Sequence, residues 1–547
     1  MNREDTAALA GETRAVPARA VLTLGYWNLY FLIKLILFWR ELIGFHGFEN
    51  LAFAAFLAAP IAVRAGRAWR TAIAIPAAIA LAYYDSWLPP ANRLLSQAGL
   101  VSGFSPAYLL ELAGRFIDWN VIGMLALGWA ACVIAMRIVR VGVLVFAVLV
   151  GVTVAGTVGR GTVAASAVSS PGARNEAASA VPADPDQALR AFYEHEQQRA
   201  VTFDHVDNAA PFDVVFLHIC SLSWDDLQAT GLDRHPLWKN MDFLFSHFNS
   251  AASYSGPAAI RLNRATCGQT PHRGLYDPAP DQCYLMPALK QAGFETNFAL
   301  NHDGHFDDFL TLLRRQGVNA PLQPFTGIAA PLRAFDNTPI YDDFGVLSRW
   351  LETRRNSPTP HVALYYNSIS LHDGNRIMAG ANAHLSSRDS YRPRVEKLLN
   401  DLTGFMDRMQ ASGRRAIVIV VPEHGAAVRG DKFQIAGLRE LPTPAITLVP
   451  VGVRIIGQDV TRTGPGAQIG TATSYLGLSQ LVARLVKKPP YGPAGLNTAD
   501  YVADLPATEL VSENEDTVMM RANGKYMFRQ GQSSWQEYAA ASRSAGN

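Results

Sequence analysis

Cysteine is scarce here, four residues in a chain of 547. That excludes a small scaffold held by a disulfide framework and a cysteine-rich metal cluster. Charge is also scarce: 17% of residues are Asp, Glu, Lys or Arg, the formal net charge is +2, and no long block carries one sign. No nucleic acid or other polyanion is therefore implied as a partner. No internal repeat is present, which excludes a solenoid. No cleavage motif follows the first apolar segment, so residues 1–20 are not a signal peptide; they read as a polar tail in which Arg3, Arg14 and Arg19 are offset by Glu4, Asp5 and Glu12. What the chain has in quantity is apolar residues, 49% of the total, and they are unevenly spread. Its length exceeds one domain on a prior of about 100–200 residues each.

Apolar segments fall near 21–39, 48–63, 70–88, 116–136 and 139–158. A membrane span needs about 20 mostly apolar residues, and five such segments in one third of a chain predict a transmembrane domain of about five helices over 21–158. The second is short and holds Pro60. Arg64, Arg67 and Arg70 in one short loop and Arg137 and Arg140 in another place both on the cytoplasmic side. The tail 1–20 is then cytoplasmic, while loop 89–115 and everything after 158 lie in the periplasm of a Gram-negative bacterium. Lys34, inside the first span, is expected to snorkel or to face other helices. Residues 159–205 read as a linker rich in Ala, Ser, Gly and Pro that closes with a short helix around 186–200, and 206–547 as the periplasmic catalytic domain.

The periplasmic part is organised around Ala416–Gly425, AIVIVVPEHG. Its unbroken β-branched run reads as a strand buried on both faces of a sheet, and Glu423 and His424 follow directly. Ligands in open α/β sheets bind beyond the carboxyl ends of strands, where a carboxylate and an imidazole can share a metal such as zinc. DVVFLHI (213–219) repeats the layout, with Cys220 at its end as a zinc-ligand type or a buried core thiol. HVALYYNSIS (361–370) repeats it again, with His372 just beyond. Ser255 precedes a helix, AAIRLNRA, where its hydroxyl is either an N-cap or a nucleophile at the positive end of the helix dipole. His302, Asp303, His305, Asp307 and Asp308, which follow the strand ETNFAL, read as a solvated turn or as further metal ligands.

Cys132 falls in a span, and Cys267 and Cys283 flank a loop rich in Pro and Gly. Outside the cytoplasm a Cys267–Cys283 disulfide fits, stabilising by roughly 3 kcal/mol in the chain-entropy model. Cys220 is then the single unpaired cysteine of this domain, either buried or metal-bound.

The stretches ICSLSWDDL (219–227), YSGPAAIRLNRATCGQ (254–269), YYNSISLHDGN (365–375) and VPEHGAAVRGDKFQIAGLRELP (421–442) together resemble the alkaline phosphatase/sulfatase superfamily. With the membrane segments, the chain resembles that superfamily's phosphoethanolamine transferases, in particular those that modify cellulose. The resemblance implies an α/β fold with a central, mostly parallel sheet and one Zn2+ held by Cys220, Glu423, His424 and the Ser255 hydroxyl. Many superfamily members have a carboxylate where Cys220 stands. The sulfatase signature is half met, since Pro257 is in place but Arg261 stands two positions late. Ser255 is implied as nucleophile, His372 as acid or base, Arg439 as a phosphate-holding group and Tyr254 as a neighbour shaping the site. The implied donor is phosphatidylethanolamine, drawn from the membrane lipids, and the implied acceptor is cellulose, with the cellulose synthase complex as a partner. Two alternatives stay open: transfer to lipid A or another glycan, and a non-catalytic scaffold of a polysaccharide synthase.

Overall fold

The computed structural model describes residues 24–40, 43–59, 64–86, 103–115, 119–138, 141–165, 184–206, 210–431, 433–493 and 495–539. The polar tail 1–20 and most of the linker lie outside the described residues. The chain divides into two compact units, one of residues 1–89 and 115–176, the other of residues 90–114 and 177–547.

The first unit holds the helices Trp27–Trp39, Gly47–Ala58, Arg64–Asp85, Trp119–Ile138 and Val141–Ala165. Phe31, Leu35, Phe53, Leu57 and Leu149 form its core. The sequence predicts five spans here. Among the described residues, however, no helix is long and apolar enough to cross a membrane. The first two helices have 13 and 12 residues, roughly 20 Å at 1.5 Å per residue against a hydrocarbon core of about 30 Å. The third has 22 residues but mixes its apolar side chains with arginines and holds Pro76. Lys34 does not snorkel. It is buried on Asp85 and on Asn50 Oδ1, the latter at 2.8 Å.

The second unit is built on a seven-stranded sheet ordered β10-β2-β9-β8-β1-β6-β3. Its strands are β1 (Asp213–Ile219), β2 (Phe243–Asn249), β3 (Glu295–Leu300), β6 (Val362–Ser368), β8 (Ala416–Pro422), β9 (Leu448–Ile456) and β10 (Ala467–Ile469). All run parallel except β9, which is antiparallel to both neighbours, so the sheet is mixed. Two small antiparallel sheets flank it. One is β4 (Leu332–Arg333), β5 (Pro339–Ile340) and β7 (Arg376–Ile377); the other is β11 (Val511–Glu513), β12 (Thr517–Ala522), β13 (Lys525–Gln530) and β14 (Gln536–Tyr538).

Strand side chains alternate between faces, and here both faces are covered. Val214, Phe216, Ile417 and Ile419 pack with Leu478, Leu481 and Leu485 of the helix Tyr475–Lys487. Val215, Leu217, Val418 and Val420 pack with Leu398, Leu402, Phe405 and Met409 of the helix Tyr391–Ala411, whose apolar side chains recur every three to four residues. That double burial is why β1 and β8 read as continuous apolar runs rather than alternating ones. At the amino end of β1, buried Asp213 takes a forked contact from Arg354 Nε and Nη2 and a 2.9 Å bond from Arg414 Nε. At the carboxyl end the register sets Ile219 beside Pro422 on one side and Ser368 on the other, so the residues after all three strands emerge together.

Candidate metal and nucleophile site

Cys220 leaves the end of β1, and Glu423 and His424 leave the adjacent end of β8. All three are fully buried. One thiol, one carboxylate oxygen and one imidazole nitrogen lie within 4.8 Å of one another, the single such group among the described residues. Ser255 completes it from a different element. Tyr254 is the N-cap of the helix Ser255–Asn263, and Ser255 is its first helical residue. The Ser255 hydroxyl is therefore not used for capping. It lies 3.4 Å from Cys220 Sγ and 3.3 Å from His424 Nε2.

The loop carrying Glu423 and His424 is fixed by backbone and side-chain bonds. Leu222 N–H donates to the His424 carbonyl at 2.6 Å, and Gly425 N–H to the Ile446 carbonyl at 2.7 Å. Buried Asp226 accepts from Ala426 N at 2.7 Å and Val428 N at 3.3 Å while closing a capping box with Ser223. Gly425 is required by this close approach, since a Cβ there would meet Ser223 Oγ at 2.6 Å and Asp226 Oδ2 at 2.8 Å. His424 Nδ1 is 2.9 Å from the Gly425 carbonyl oxygen, which can only accept. Nδ1 therefore carries the proton and Nε2 presents its lone pair to the site.

Glu423 Oε1 accepts a 2.6 Å bond from Asn367 Nδ2 at the end of β6, whereas its Oε2 is buried with no hydrogen-bond partner. An orphaned buried carboxylate oxygen is costly, and a cation is the group that would satisfy it. Burial pushes the Glu423 carboxyl up to about 7. Burial and the Glu423 charge push the Cys220 thiol up to about 12. Both groups are thus held toward their protonated forms unless a cation pairs with them. The donor set fits a metal, and its mixture of sulfur, nitrogen and oxygen is one that zinc accepts.

Arg439 reaches the same point. Its Nη1 lies 3.1 and 3.4 Å from the two ring nitrogens of His424 and donates to Ser221 Oγ at 3.3 Å, and its guanidinium stands 5.4 Å from the Tyr254 ring centre. Tyr254 donates its hydroxyl proton to Glu440 at 2.6 Å, so the ring holds Arg439 in place. His372 approaches from the loop after β6. Burial and the neighbouring Arg439 charge hold its imidazole down at about 4, so it is neutral. Its Nδ1 lies 2.6 Å from the Asp373 carbonyl, which leaves Nε2 as the proton acceptor. Electrostatically it couples to Arg439 and His424.

The 301–309 cluster does not join the group. His302 Nε2 instead bonds Asn367 Oδ1 at 3.0 Å, which orients the amide that holds Glu423; the Asp307 and Asp308 carboxyls raise no further metal group among the described residues. Sequence reasoning missed Asn367 and Asp226. Asn367 sits inside an apolar strand run, and a polar residue buried there was the available signal. Cys267 and Cys283 form a disulfide, and Cys220 is free.

These features define an α/β protein with a buried thiol–carboxylate–imidazole group and a helix-terminal hydroxyl at the carboxyl edge of its sheet. The family model described as "Cellulose biosynthesis protein BcsG C-terminal domain" matches residues 170–535, and that described as "Cellulose biosynthesis protein BcsG N-terminal domain" matches residues 27–154. The chain belongs to the cellulose biosynthesis protein BcsG family. It is 38% identical over 539 residues to the cellulose biosynthesis protein BcsG of Salmonella typhimurium (strain LT2), covering 94% of this chain and 96% of that protein. It is 37% identical over 539 residues to the protein of that name from Escherichia coli (strain K12), with the same coverage. Among solved structures, a protein in the alkaline phosphatase superfamily from Vibrio parahaemolyticus matches with a TM-score of 0.46 at 13% identity, covering 65% of this chain and 88% of that one.

Proposed function

We propose that this chain is a membrane-anchored, zinc-dependent phosphoethanolamine transferase that moves phosphoethanolamine from phosphatidylethanolamine to glucosyl hydroxyls of cellulose. The observation that carries this reading is the convergence of the Ser255 hydroxyl on Cys220 and His424 beside a Glu423 oxygen that lacks a partner. The relatives' printed name supports cellulose biosynthesis as the setting. The donor and the reaction rest on the resemblance of the motifs.

Cys220, Glu423, His424 and Ser255 would hold the zinc. A bound zinc lowers the pKa of a coordinated hydroxyl and offsets phosphoryl charge. Ser255 Oγ attacks the phosphorus of the lipid, the bond to the glyceryl oxygen breaks, and diacylglycerol leaves with a proton. Phosphoethanolamine is then bonded to Ser255. In the second step a glucosyl hydroxyl attacks that phosphorus, His372 Nε2 accepts its proton, and the bond to Ser255 breaks to restore the serine. The free N–H groups of the helix Ser255–Asn263 and the Arg439 guanidinium, held by Tyr254, face the charge that develops on the phosphoryl oxygens. The five apolar segments of the first 158 residues support a multi-pass inner-membrane anchor with the catalytic unit in the periplasm, beside its lipid donor and near a cellulose synthase complex.

Peptide mass spectrometry of the zinc-loaded chain after exposure to phosphatidylethanolamine, without acceptor, tests the covalent step. The expected result is a phosphoethanolamine adduct on Ser255; an adduct on another residue, or diacylglycerol release with none, overturns it. Reporter fusions at residue 180 are expected to report the periplasm, and a cytoplasmic signal overturns the orientation.

A further inference from the structure

The described residues 103–114 come, in sequence, between two stretches of the first unit, yet they belong to the catalytic unit. The helix Pro106–Arg115 packs Tyr108 into a cluster with Phe104, Leu332, Ala334, Phe335 and Ile340. The Phe104 and Tyr108 rings both lie against Phe335, with centroids 5.1 and 6.2 Å away, and Phe335 lies 5.2 Å from the His372 ring. The contact continues past His372. Tyr108 donates its hydroxyl proton to Asp373 Oδ2 at 3.1 Å, and Glu111 Oε2 accepts from Ser387 N at 3.2 Å. Ser387 Oγ in turn bonds Asp373 Oδ1 at 3.2 Å and accepts from Gly374 N at 2.6 Å. Gly374, at φ +86°, is pressed so closely that a Cβ would meet Phe335 Cβ at 2.5 Å and Tyr108 Cζ at 3.0 Å.

The loop carrying His372 is not part of a sheet, so its place is set by what packs on it. From inside the fold, Arg394 bonds the Ser370 and His372 carbonyls at 2.7 and 3.1 Å. From outside, the helix Pro106–Arg115 closes over it. We propose that this helix is a strap that positions His372, with Tyr108 and Glu111 as positioning residues. The segment expected to be an inter-span loop thereby completes the catalytic unit, and its aromatic chain ends on the imidazole. The proposal rests on the reading that His372 Nε2 serves the transfer.

The test uses the full-length, zinc-loaded chain and phosphatidylethanolamine turnover, with hydrogen exchange of peptides covering 369–378. Tyr108→Ala is expected to lower kcat about tenfold or more with KM little changed, because misplacing a reacting group by about 1 Å can cost about a hundredfold. Exchange at 369–378 rises and zinc content is unchanged. Tyr108→Phe keeps the ring packing and loses only the Asp373 bond, so it falls between Tyr108→Ala and the wild type. Glu111→Gln keeps an acceptor for Ser387 N and restores what Glu111→Ala loses. Should Tyr108→Ala fail to fold, Tyr108→Phe and the Glu111 pair decide. Wild-type kcat and exchange in Tyr108→Phe and Glu111→Ala overturn the strap. His372→Ala separates the two ideas: if it retains turnover, the assigned role of His372 fails, and the strap stands or falls on exchange alone.

Discussion

Asn367 donates to Glu423 across the sheet at 2.6 Å, and this bond decides which carboxylate oxygen faces the site. With Oε1 engaged, Oε2 is the oxygen left for a cation. Asn367 is itself oriented by His302. Removal of the amide in Asn367→Ala is expected to weaken zinc binding by about 10–100-fold, the usual cost of losing a group that orients a ligand. Chelator competition on the purified chain measures it. Unchanged affinity would mean that Glu423 holds its rotamer without Asn367.

Ser255→Ala and Glu423→Ala are expected to differ. Cys220, Glu423 and His424 remain in the first, and three protein ligands suffice for a catalytic zinc. Ser255→Ala should keep its zinc and lose turnover by orders of magnitude. Glu423→Ala should lose both. Zinc stoichiometry beside phosphodiester turnover reads the difference, and near-normal turnover in zinc-loaded Ser255→Ala would remove the covalent mechanism.

Zinc affinity is expected to rise with pH, because ligands must shed protons to bind. The Cys220 thiol is held up at about 12 and the Glu423 carboxyl at about 7, while His424 is already neutral. Above pH 7 one proton is displaced per metal, so the apparent affinity climbs about tenfold per pH unit; below pH 7 two are displaced and the slope approaches a hundredfold. Competition titrations between pH 6 and 8 measure the slope. A flat profile would show that Cys220 and Glu423 are not both ligands.

Asp213 and Arg354 form a buried pair at the other end of β1 from Cys220. Asp213→Ala leaves the guanidinium buried without its carboxylate and is expected to destabilise the catalytic unit by about 3–5 kcal/mol. The zinc affinity of the folded protein should be unchanged, since six further residues of extended strand, roughly 20 Å, separate the two positions. Denaturant midpoints and zinc titration check both halves; a large loss of zinc affinity in the folded variant would tie this pair to the site.

Much of the sheet was legible in the sequence. AIVIVVP, DVVFLHI and ETNFAL are short apolar or β-rich runs ended by turn residues, and each is a strand. The site was legible where function follows directly from strand ends: Cys220, Glu423 and His424 each stand one or two residues past a strand, and register brings them together. Ser255 could be read two ways, and the structure shows its helix capped at Tyr254 instead.

What only the tertiary structure decided is long-range. No local pattern says that β9 runs antiparallel between β2 and β8, because a doubly buried strand reads alike in either direction. Asn367 holds Glu423 from 56 residues away, and Asp226 holds the 425–428 loop from about 200 residues away. Tyr108 reaches Asp373 across 265 residues. Strand formation is set by neighbours a few residues apart, so its signal is written locally in side-chain size and polarity. Hydrogen-bond partners in a site are set by which chain ends the sheet brings together, and that depends on the packing of the whole unit.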